Sequence, residues 1–392
     1  MCNKSALKNR FFISAIVFVF LFNFSSIFAK ETIISEEVMQ KIEKVVDAPS
    51  CFAGVDGLVR KGRKDRIKDM IEWYEKNGTV GKRYNDYGLD IKSFRNQDDF
   101  LSVKTYDGER RHLHHGDIRP REYKYLARDK LEFYKEMKKG KLANKTPKIN
   151  YSVQYGKVIY PESKSNLGTP KAIKSLGDGK YICKPQYGRW GQGIYVIEKK
   201  KGVISFFDKN SNKVKANRFF EKIYNVPYVI QKYVVQHKKL SKLNPSSLNT
   251  MRIVTTRYNE DVHILGAFLK MGCNKAVIDN AHAGGTFVGI NSKNGKLRKY
   301  GCHYSTFNKK AELCHPVSHV KYEGYKLPYW EEVMKLVKDA HKVFSGLSSA
   351  GWDVAITEKG PVIIELNMEY SLKGFQTANG GIKEKWHKLK EM

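Results

Sequence analysis

Two carboxylates and a carboxamide near the end of the chain have the spacing of a cation site. The stretch 360–369 reads Gly-Pro-Val-Ile-Ile-Glu-Leu-Asn-Met-Glu, so an apolar run ends in Glu365 and Asn367. Residues two apart on a strand share one face of the sheet. A strand here therefore aims both side chains at the same place. A second apolar run just upstream carries Asp353.

The segment 358–360 between these two runs predicts a hairpin with a three-residue loop that ends in glycine. If Thr357 faces Pro361, counting back along both strands sets Asp353 opposite Glu365. Two carboxylates opposed on a half-buried sheet repel one another, so a positive group is expected between them. The oxygen ligands offered by Asp, Glu and Asn are those that Mg²⁺ prefers. The alternative to a metal is that arginine or lysine side chains pair with these carboxylates and have a structural role only.

A glycine-rich loop between two predicted strands is the second candidate site. Lys184 ends the first strand, and Gly188, Gly191 and Gly193 follow before the next strand begins. Glycines allow backbone N–H groups to approach an anion, and a lysine adds a point charge to the same phosphate. The loop is neither a Walker loop nor a dinucleotide fingerprint, because no Gly-Lys-Ser/Thr follows and the next element reads as a strand.

These pieces, taken in chain order, resemble an ATP-grasp domain. Lys184 with its glycine loop, the run 229–233, Arg252, and Asp353 followed by Glu365-x-Asn367 carry the resemblance. Three further segments resemble the sugar-transfer-associated branch: Leu-Asn-Thr-Met-Arg-Ile-Val-Thr at 248–255, Asp-Asn-Ala-His-Ala-Gly-Gly at 279–285, and Gly-Trp-Asp-Val-Ala-Ile-Thr at 351–357. The resemblance covers roughly residues 120–385 and implies an α+β fold in which two lobes grip ATP. The branch is related to glutamate-ligase-like proteins and is linked to cell-surface polysaccharide biosynthesis.

The resemblance also implies a role for individual residues. ATP and Mg²⁺ are the implied cofactors. The residues expected to bind the nucleotide are Lys130 and Lys184 on the phosphates, Gly188, Gly191 and Gly193 in a lid, Gln231, Lys232 and Tyr233 at the adenine, and Arg252 at the γ-phosphate. The residues expected to hold the metal are Asp353, Glu365 and Asn367. The residues expected beside the acceptor substrate are Asn249, Asn280, His282, Gly284 and Gly285, and those expected to take part in catalysis are Arg252, Lys184 and His282.

The family reaction activates a carboxylate with ATP and then joins it to an amine, which needs positioned charges and no protein nucleophile. We therefore expect an ATP- and Mg²⁺-dependent carboxylate–amine ligase that acts on a small-molecule or glycan-linked substrate. One alternative is a kinase that phosphorylates a sugar or hydroxyl on the same fold. Another is a non-catalytic, basic polyanion-binding protein.

Strands dominate the chain from residue 177 onwards, and most of the candidate residues lie on or beside them. The hydrophobic patterns predict strands at 181–185, 193–198, 203–207, 228–233, 250–258, 262–270, 351–357 and 361–367. They predict helices at 65–76, 126–137, 217–224 and around 333–344. We expect a basic, mainly helical accessory region at 30–121 and the ATP-grasp domain at 122–392.

The formal net charge of +31 over 392 residues indicates that the protein binds negatively charged partners in general. The charge is spread along the chain without a single basic block, so nucleic acid is not the expected partner.

The first 29 residues resemble a separate targeting device. Lys4, Lys8 and Arg10 precede an apolar stretch, and Ala29 has the position of a cleavage residue. The stretch 11–29 is also near the lower length limit of a membrane span. A cleaved signal peptide and a membrane anchor both fit, so the protein is expected to be exported or membrane-associated. An ATP-dependent domain is expected on the cytoplasmic side, although the basic N-terminal flank favours the opposite orientation.

The cysteines do not read as a disulfide framework. Removal of residues 1–29 leaves an odd number, and no Cys-x-x-Cys pair occurs. The Cys-His pairs at 302–303 and 314–315 fit no common zinc spacing, so incidental loop cysteines are the expected interpretation.

Overall fold

A computed structural model describes residues 34–109, 125–188, 192–258, 261–272, 285–303, 309–368, 370 and 372–391. From Glu36 onwards these residues belong to one compact unit. Helices pack on two antiparallel sheets of seven and six strands, which confirms the α+β class.

The first sheet has the strand order β2-β1-β7-β3-β4-β5-β6. Its strands are β1 (Ile149–Gln154), β2 (Lys157–Tyr160), β3 (Gly179–Pro185), β4 (Tyr195–Lys200), β5 (Val203–Asp208), β6 (Lys213–Val214) and β7 (Tyr228–Lys232). The glycine loop connects β3 to β4, so the predicted strand after the loop is confirmed.

The second sheet has the order β11-β10-β9-β8-β12-β13. Its strands are β8 (Thr250–Tyr258), β9 (Asp261–Met271), β10 (Thr286–Ile290), β11 (Leu297–Cys302), β12 (Ser349–Thr357) and β13 (Gly360–Asn367). The apolar runs predicted as the last two strands therefore form the edge hairpin β12–β13.

The helices have the bounds Glu36–Asp47, Arg63–Asn77, Val103–Glu109, Lys130–Lys139, Thr169–Lys174, Ala216–Lys222, Lys238–Leu243, Trp330–Val343, Leu372–Asn379 and Lys383–Glu391. The helix predicted at 126–137 is present in two pieces, since residues 125–128 are helical and the helix Lys130–Lys139 follows after Asp129. Asp129 interrupts the pattern because its carboxylate accepts the N–H groups of Leu131 and Glu132 as an N-cap.

The two faces of the second sheet bury different cores. One face packs Ile253, Leu269 and Trp352 against the helix Trp330–Val343. The opposite face packs Val254 and other apolar residues against parts of the N-terminal region and the C-terminal helices. Because side chains alternate along each strand, Arg252 and Asp353 lie on that opposite face.

The N-terminal region is joined to the second sheet through buried contacts. Gln376 donates to the backbone carbonyl of Leu101 at 3.0 Å and accepts the Leu101 N–H at 3.0 Å. Tyr370 shares hydrogen bonds with Tyr106 and with Ser349 at the start of β12. Residues outside the strand-rich part of the chain therefore support the strand that carries Asp353.

Within the described ranges no helix is both long and apolar enough to cross a membrane. The predicted targeting segment at 11–29 lies outside these ranges.

Candidate active site

The β12–β13 hairpin sets Asp353 opposite Glu365, as predicted, but by a different register. Thr357 pairs with Gly360 and Ile356 pairs with Pro361, so the predicted three-residue loop is wrong and the turn is one residue shorter. A β-bulge between Val354 and Asp353 then inserts one extra residue on β13. The bulge shifts the pairing by one position, which restores the facing carboxylates.

Asp353 has two cationic partners in the structure. Arg252 donates from Nε to Oδ1 at 2.6 Å and from Nη2 to Oδ2 at 3.0 Å, while Lys270 donates from Nζ to Oδ2 at 3.0 Å. The Asn367 amide lies 3.4 Å from Oδ2. Burial alone raises the pKa of Asp353, but the charges of Arg252 and Lys270 outweigh it and hold that pKa well below its usual range. Asp353 is therefore ionised and strongly oriented.

Arg252 reaches Asp353 across a glycine. Arg252 and Asp353 are cross-strand partners on β8 and β12. A side chain at Gly351 would place Cβ 3.1 Å from Cδ of Arg252 and 2.9 Å from Cβ of Tyr370. The absence of a side chain at Gly351 thus leaves space for the side chain of Arg252.

Lys184 in β3 and Lys130 at the start of the helix Lys130–Lys139 both interact electrostatically with Glu365. Lys184 ends β3 and is 9% exposed. Burial and the nearby Lys130 charge lower the pKa of Lys184 to about 8, against an opposing effect of Glu365. Burial likewise lowers the pKa of Lys130, and Glu365 and Asp129 oppose that shift. The two lysines predicted to bind phosphate are therefore near enough to Glu365, the predicted metal ligand on β13, for its charge to act on both.

A buried chain of hydrogen bonds holds these lysines in place. Ser152 on β1 donates to the Gln186 side chain at 2.7 Å, and Gln186 donates to Asp129 at 2.9 Å. The backbone N–H of Lys130 also donates to the Gln186 carbonyl at 3.2 Å. Gln186 thereby ties the start of the helix Lys130–Lys139 to the end of β3.

The glycine loop lies beside Lys130. Nζ of Lys130 donates to the carbonyl of Gly188 at 3.0 Å. Gly193 has φ 67°, and a Cβ there would lie 2.8 Å from the hydroxyl oxygen of Tyr228, so both backbone and space require glycine. The predicted lid residue Gly191 lies outside the described residues.

The predicted adenine segment lies at the end of β7, where Gln231 and Lys232 are the last two residues of the strand and Tyr233 follows. Gln231 is buried and Lys232 is exposed. The backbone N–H groups of Lys232 and Tyr233 donate to the carbonyls of Lys148 and Lys180 at 3.0 and 3.1 Å. The chain then crosses to the second sheet, where the His237 N–H donates to the Ile356 carbonyl at 2.7 Å. The chain from β7 to His237 therefore connects the two sheets.

The predicted acceptor residues are only partly described. Asn249 is 1% exposed, and its amide donates to Gln236, Leu240 and Asn244 inside its own loop. That amide stabilises the loop before β8 and faces away from solvent, so we leave Asn249 out of the proposed site. Gly285 is buried directly before β10. Asn280, His282 and Gly284 lie outside the described residues.

Sequence reasoning missed Lys270 and Gln186. Lys270 interrupts the apolar β9 and pairs across from Thr250, one row from Arg252 on the same face. A lysine at the end of a buried strand could have indicated a functional residue. Its partner, Asp353, can be identified only when the pairing of β9 with β8 and β12 is known. Gln186 gave no signal beyond its place after Lys184.

No three His, Cys, Asp or Glu side chains of the described ranges come together as a metal site. Cys302 is free, and His303 lies 3.3 Å from a single carboxylate, that of Glu312. The Asp353, Glu365 and Asn367 set is of another kind, because two carboxylates and one amide are too few for a protein-only cage. Mg²⁺ accepts such sets when substrate phosphates and waters complete its shell.

The residues present fit ATP with Mg²⁺. Lys184 is a buried lysine beside a second lysine, an arrangement that an anionic ligand stabilises. The oxygen donors of Glu365, Asp353 and Asn367 lie on the neighbouring strands β12 and β13.

Comparison with known families identifies the chain. The model of the sugar-transfer-associated ATP-grasp family matches residues 109–390. The chain therefore belongs to this family.

Solved structures with partial similarity are ATP-grasp enzymes. An N5-carboxyaminoimidazole ribonucleotide synthetase bound to ADP has a TM-score of 0.37 and 10% identity over 65% of this chain and 48% of its own. The Staphylococcus aureus N5-carboxyaminoimidazole synthetase with ADP has a TM-score of 0.35 and 13% identity over 66% of this chain and 52% of its own. The Bacillus anthracis D-alanine–D-alanine ligase has a TM-score of 0.36 and 14% identity over 68% of this chain and 67% of its own. The chain thus spans about half the length of the two synthetases. A search among curated proteins found no match.

Proposed function

We propose that this protein is an ATP- and Mg²⁺-dependent carboxylate–amine ligase that works through an acyl phosphate. The observation that carries the proposal is that Lys130 and Lys184 lie within electrostatic range of Glu365, which pairs across the hairpin with the Arg252-bound Asp353. The lysines expected to bind phosphate and the oxygen groups expected to hold Mg²⁺ would then belong to one site. Membership of the sugar-transfer-associated ATP-grasp family supports an ATP-dependent reaction.

The residues divide the work by their chemistry. Lys130 and Lys184 would neutralise and orient the ATP phosphates, and Asp353, Glu365 and Asn367 would hold Mg²⁺, which shields phosphate charge. Arg252, which is bound to Asp353, would stabilise the transferring phosphoryl group. The loop from Gly188 to Gly193 would cover the phosphates and exclude water.

The proposed reaction has two steps. A substrate carboxylate oxygen attacks the γ-phosphorus and ADP leaves, which gives an acyl phosphate. An amine then attacks the acyl carbon, phosphate leaves and the amine loses a proton. The proposed roles of His282 and of the backbone N–H groups of Gly284 and Gly285 belong to this second step, in which an oxyanion must be stabilised.

ATP binding and product analysis test the proposal. Full-length protein should bind ATP with Mg²⁺, and Asp353→Ala or Glu365→Ala should abolish that binding. A ligase releases ADP in quantity only when both a carboxylate and an amine are present, whereas a sugar kinase needs a single hydroxyl acceptor. ADP release with a hydroxyl acceptor alone would exclude the ligase and support the kinase. Binding of polyanions that ATP does not affect would exclude both enzymes.

We further propose that the substrate is a precursor or component of a cell-surface polysaccharide and that residues 1–29 direct the protein to the membrane or out of the cytoplasm. The family description supports the link to sugar transfer, and the basic and apolar N-terminal segment supports the targeting. Residues 30–121 would act as the accessory region of the 122–392 ATP-grasp domain. N-terminal sequencing of the mature protein and protease accessibility in intact cells test the targeting. Cleavage with external accessibility would exclude a cytoplasmic, ATP-using domain.

A further inference from the structure

Lys270 is a fourth cation of the proposed site, beside Lys130, Lys184 and Arg252, and it contacts Asp353. Its Nζ lies 3.0 Å from Oδ2 of Asp353, and its side chain is 14% exposed. On β9 it pairs with Thr250 and with Phe287. It therefore shares a sheet face with Arg252 and Asp353.

Lys270 and a divalent metal need the same oxygen atom. Mg²⁺ binds carboxylate oxygens at about 2.0–2.1 Å. The Lys270 ammonium donates to Oδ2 of Asp353 at 3.0 Å, so a metal coordinated to this oxygen would have to share or replace that contact. The carboxylate also faces two positive side chains, which repel a further cation.

The two cationic partners of Asp353 differ in how firmly they hold it. Arg252 makes two parallel contacts, one to each carboxylate oxygen. Such two-point contacts fix geometry, whereas a lysine on a four-carbon stem makes a single contact that exchanges more readily. Lys270 is thus the partner that a metal would displace.

We propose that Lys270 competes with the metal for Asp353 and, once displaced, binds the phosphate oxygens of ATP. This inference rests on the proposed function and deepens it. ATP phosphates would supply the negative charge that draws Lys270 away from Asp353, so the metal binds well only together with nucleotide. Lys270 would then contact the reacting phosphates alongside Arg252.

Mn²⁺ binding to full-length protein, followed by electron paramagnetic resonance, tests the competition. Lys270→Met should tighten Mn²⁺ binding without nucleotide by at least about tenfold, because one competing charge is removed. The same change should weaken binding of a non-hydrolysable ATP analogue in the presence of Mn²⁺ by at least about tenfold, because a phosphate contact is lost. Lys270→Arg, which keeps the charge, should leave Mn²⁺ binding without nucleotide close to that of the wild type.

Lys296→Met is the matched control, since Lys296 is exposed immediately before β11 of the same sheet. It should change neither affinity. If Lys270→Met fails to fold in a melting experiment, Lys270→Gln serves instead, because its amide still donates to Asp353 without a charge.

Unchanged or weaker Mn²⁺ binding without nucleotide in the folded Lys270 variant would overturn the inference. So would unchanged affinity for the ATP analogue. Failure of the proposed function looks different, since the wild-type protein itself would then not bind the analogue with Mn²⁺.

Discussion

Lys184 should make ATP binding weaken as the pH rises above about 8. Burial and the Lys130 charge lower the pKa of Lys184 to about 8, and phosphates of bound ATP would raise it again. Only the protonated amine attracts phosphate, so above this pKa binding must take up a proton. Between pH 7 and pH 9 the protonated fraction falls roughly tenfold, which corresponds to about 1.4 kcal/mol of binding free energy.

The assay is calorimetric titration with ATP at saturating Mg²⁺ in buffers of different protonation enthalpy. The wild-type protein should show about a tenfold rise in Kd from pH 7 to pH 9 and uptake of close to one proton at the upper end. Lys184→Arg keeps the charge at all these pH values, so its Kd should vary far less. Lys180→Met, an exposed residue on the same strand, should follow the wild type.

The same pKa has a consequence for stability. Because the folded pKa of Lys184 is below the value of 10.5 that it has when unfolded, folding disfavours its charged form. This cost is fully present below about pH 8 and disappears as the pH rises towards the unfolded value. It amounts to about 3 kcal/mol, so Lys184→Met should raise the free energy of unfolding at pH 7 while it weakens ATP binding. A wild-type Kd that is flat from pH 7 to pH 9, together with a destabilised Lys184→Met, would refute this reasoning.

Three further changes should have separate effects. Asp353→Asn leaves two buried cations without their carboxylate and should lower the free energy of unfolding in urea at pH 7 by about 3–5 kcal/mol. Because the folded pKa of Asp353 is lowered, this difference from the wild type should shrink as the pH falls below about 4. Gly193→Ala meets both a positive φ and the Tyr228 hydroxyl, so it should lower the melting temperature more than Gly202→Ala, which has a positive φ and open space; equal melting temperatures would argue against the steric role. Gln186→Leu removes the buried hydrogen bonds that position Lys130 and Lys184, so it should raise the KM for ATP more than it lowers kcat. An unchanged KM would mean that Gln186 does not position these lysines.

The strands and the facing carboxylates could be predicted because they depend on local pattern. The apolar run of β8 predicts its bounds from Thr250 to Tyr258. The Asp353–Glu365 pairing was reached through two errors that cancel, since the turn is shorter than predicted and a bulge shifts the register back. A bulge is set by packing on both faces of a hairpin, and hydrophobic alternation alone does not reveal it.

The partners of the site residues could not be predicted in the same way. The contact of Lys270 with Asp353 depends on the register of β9, β8 and β12 together. The link from Ser152 through Gln186 joins residues 34 positions apart in the chain. Such contacts follow from tertiary packing, so family motifs identify the phosphate and metal residues but not the groups that orient them.

The most direct test of the account is equilibrium binding of ATP to full-length protein with Mg²⁺ and after chelation, for the wild type and for Glu365→Gln. Glu365 is the carboxylate whose charge opposes the lowering of the pKa of both Lys130 and Lys184. We expect the affinity of the wild type for ATP to fall at least about tenfold on chelation. The Glu365→Gln variant should bind ATP weakly whether or not Mg²⁺ is present. A wild-type protein that binds no ATP at any Mg²⁺ concentration, or a Glu365→Gln variant that keeps full Mg²⁺-dependent binding, would contradict it.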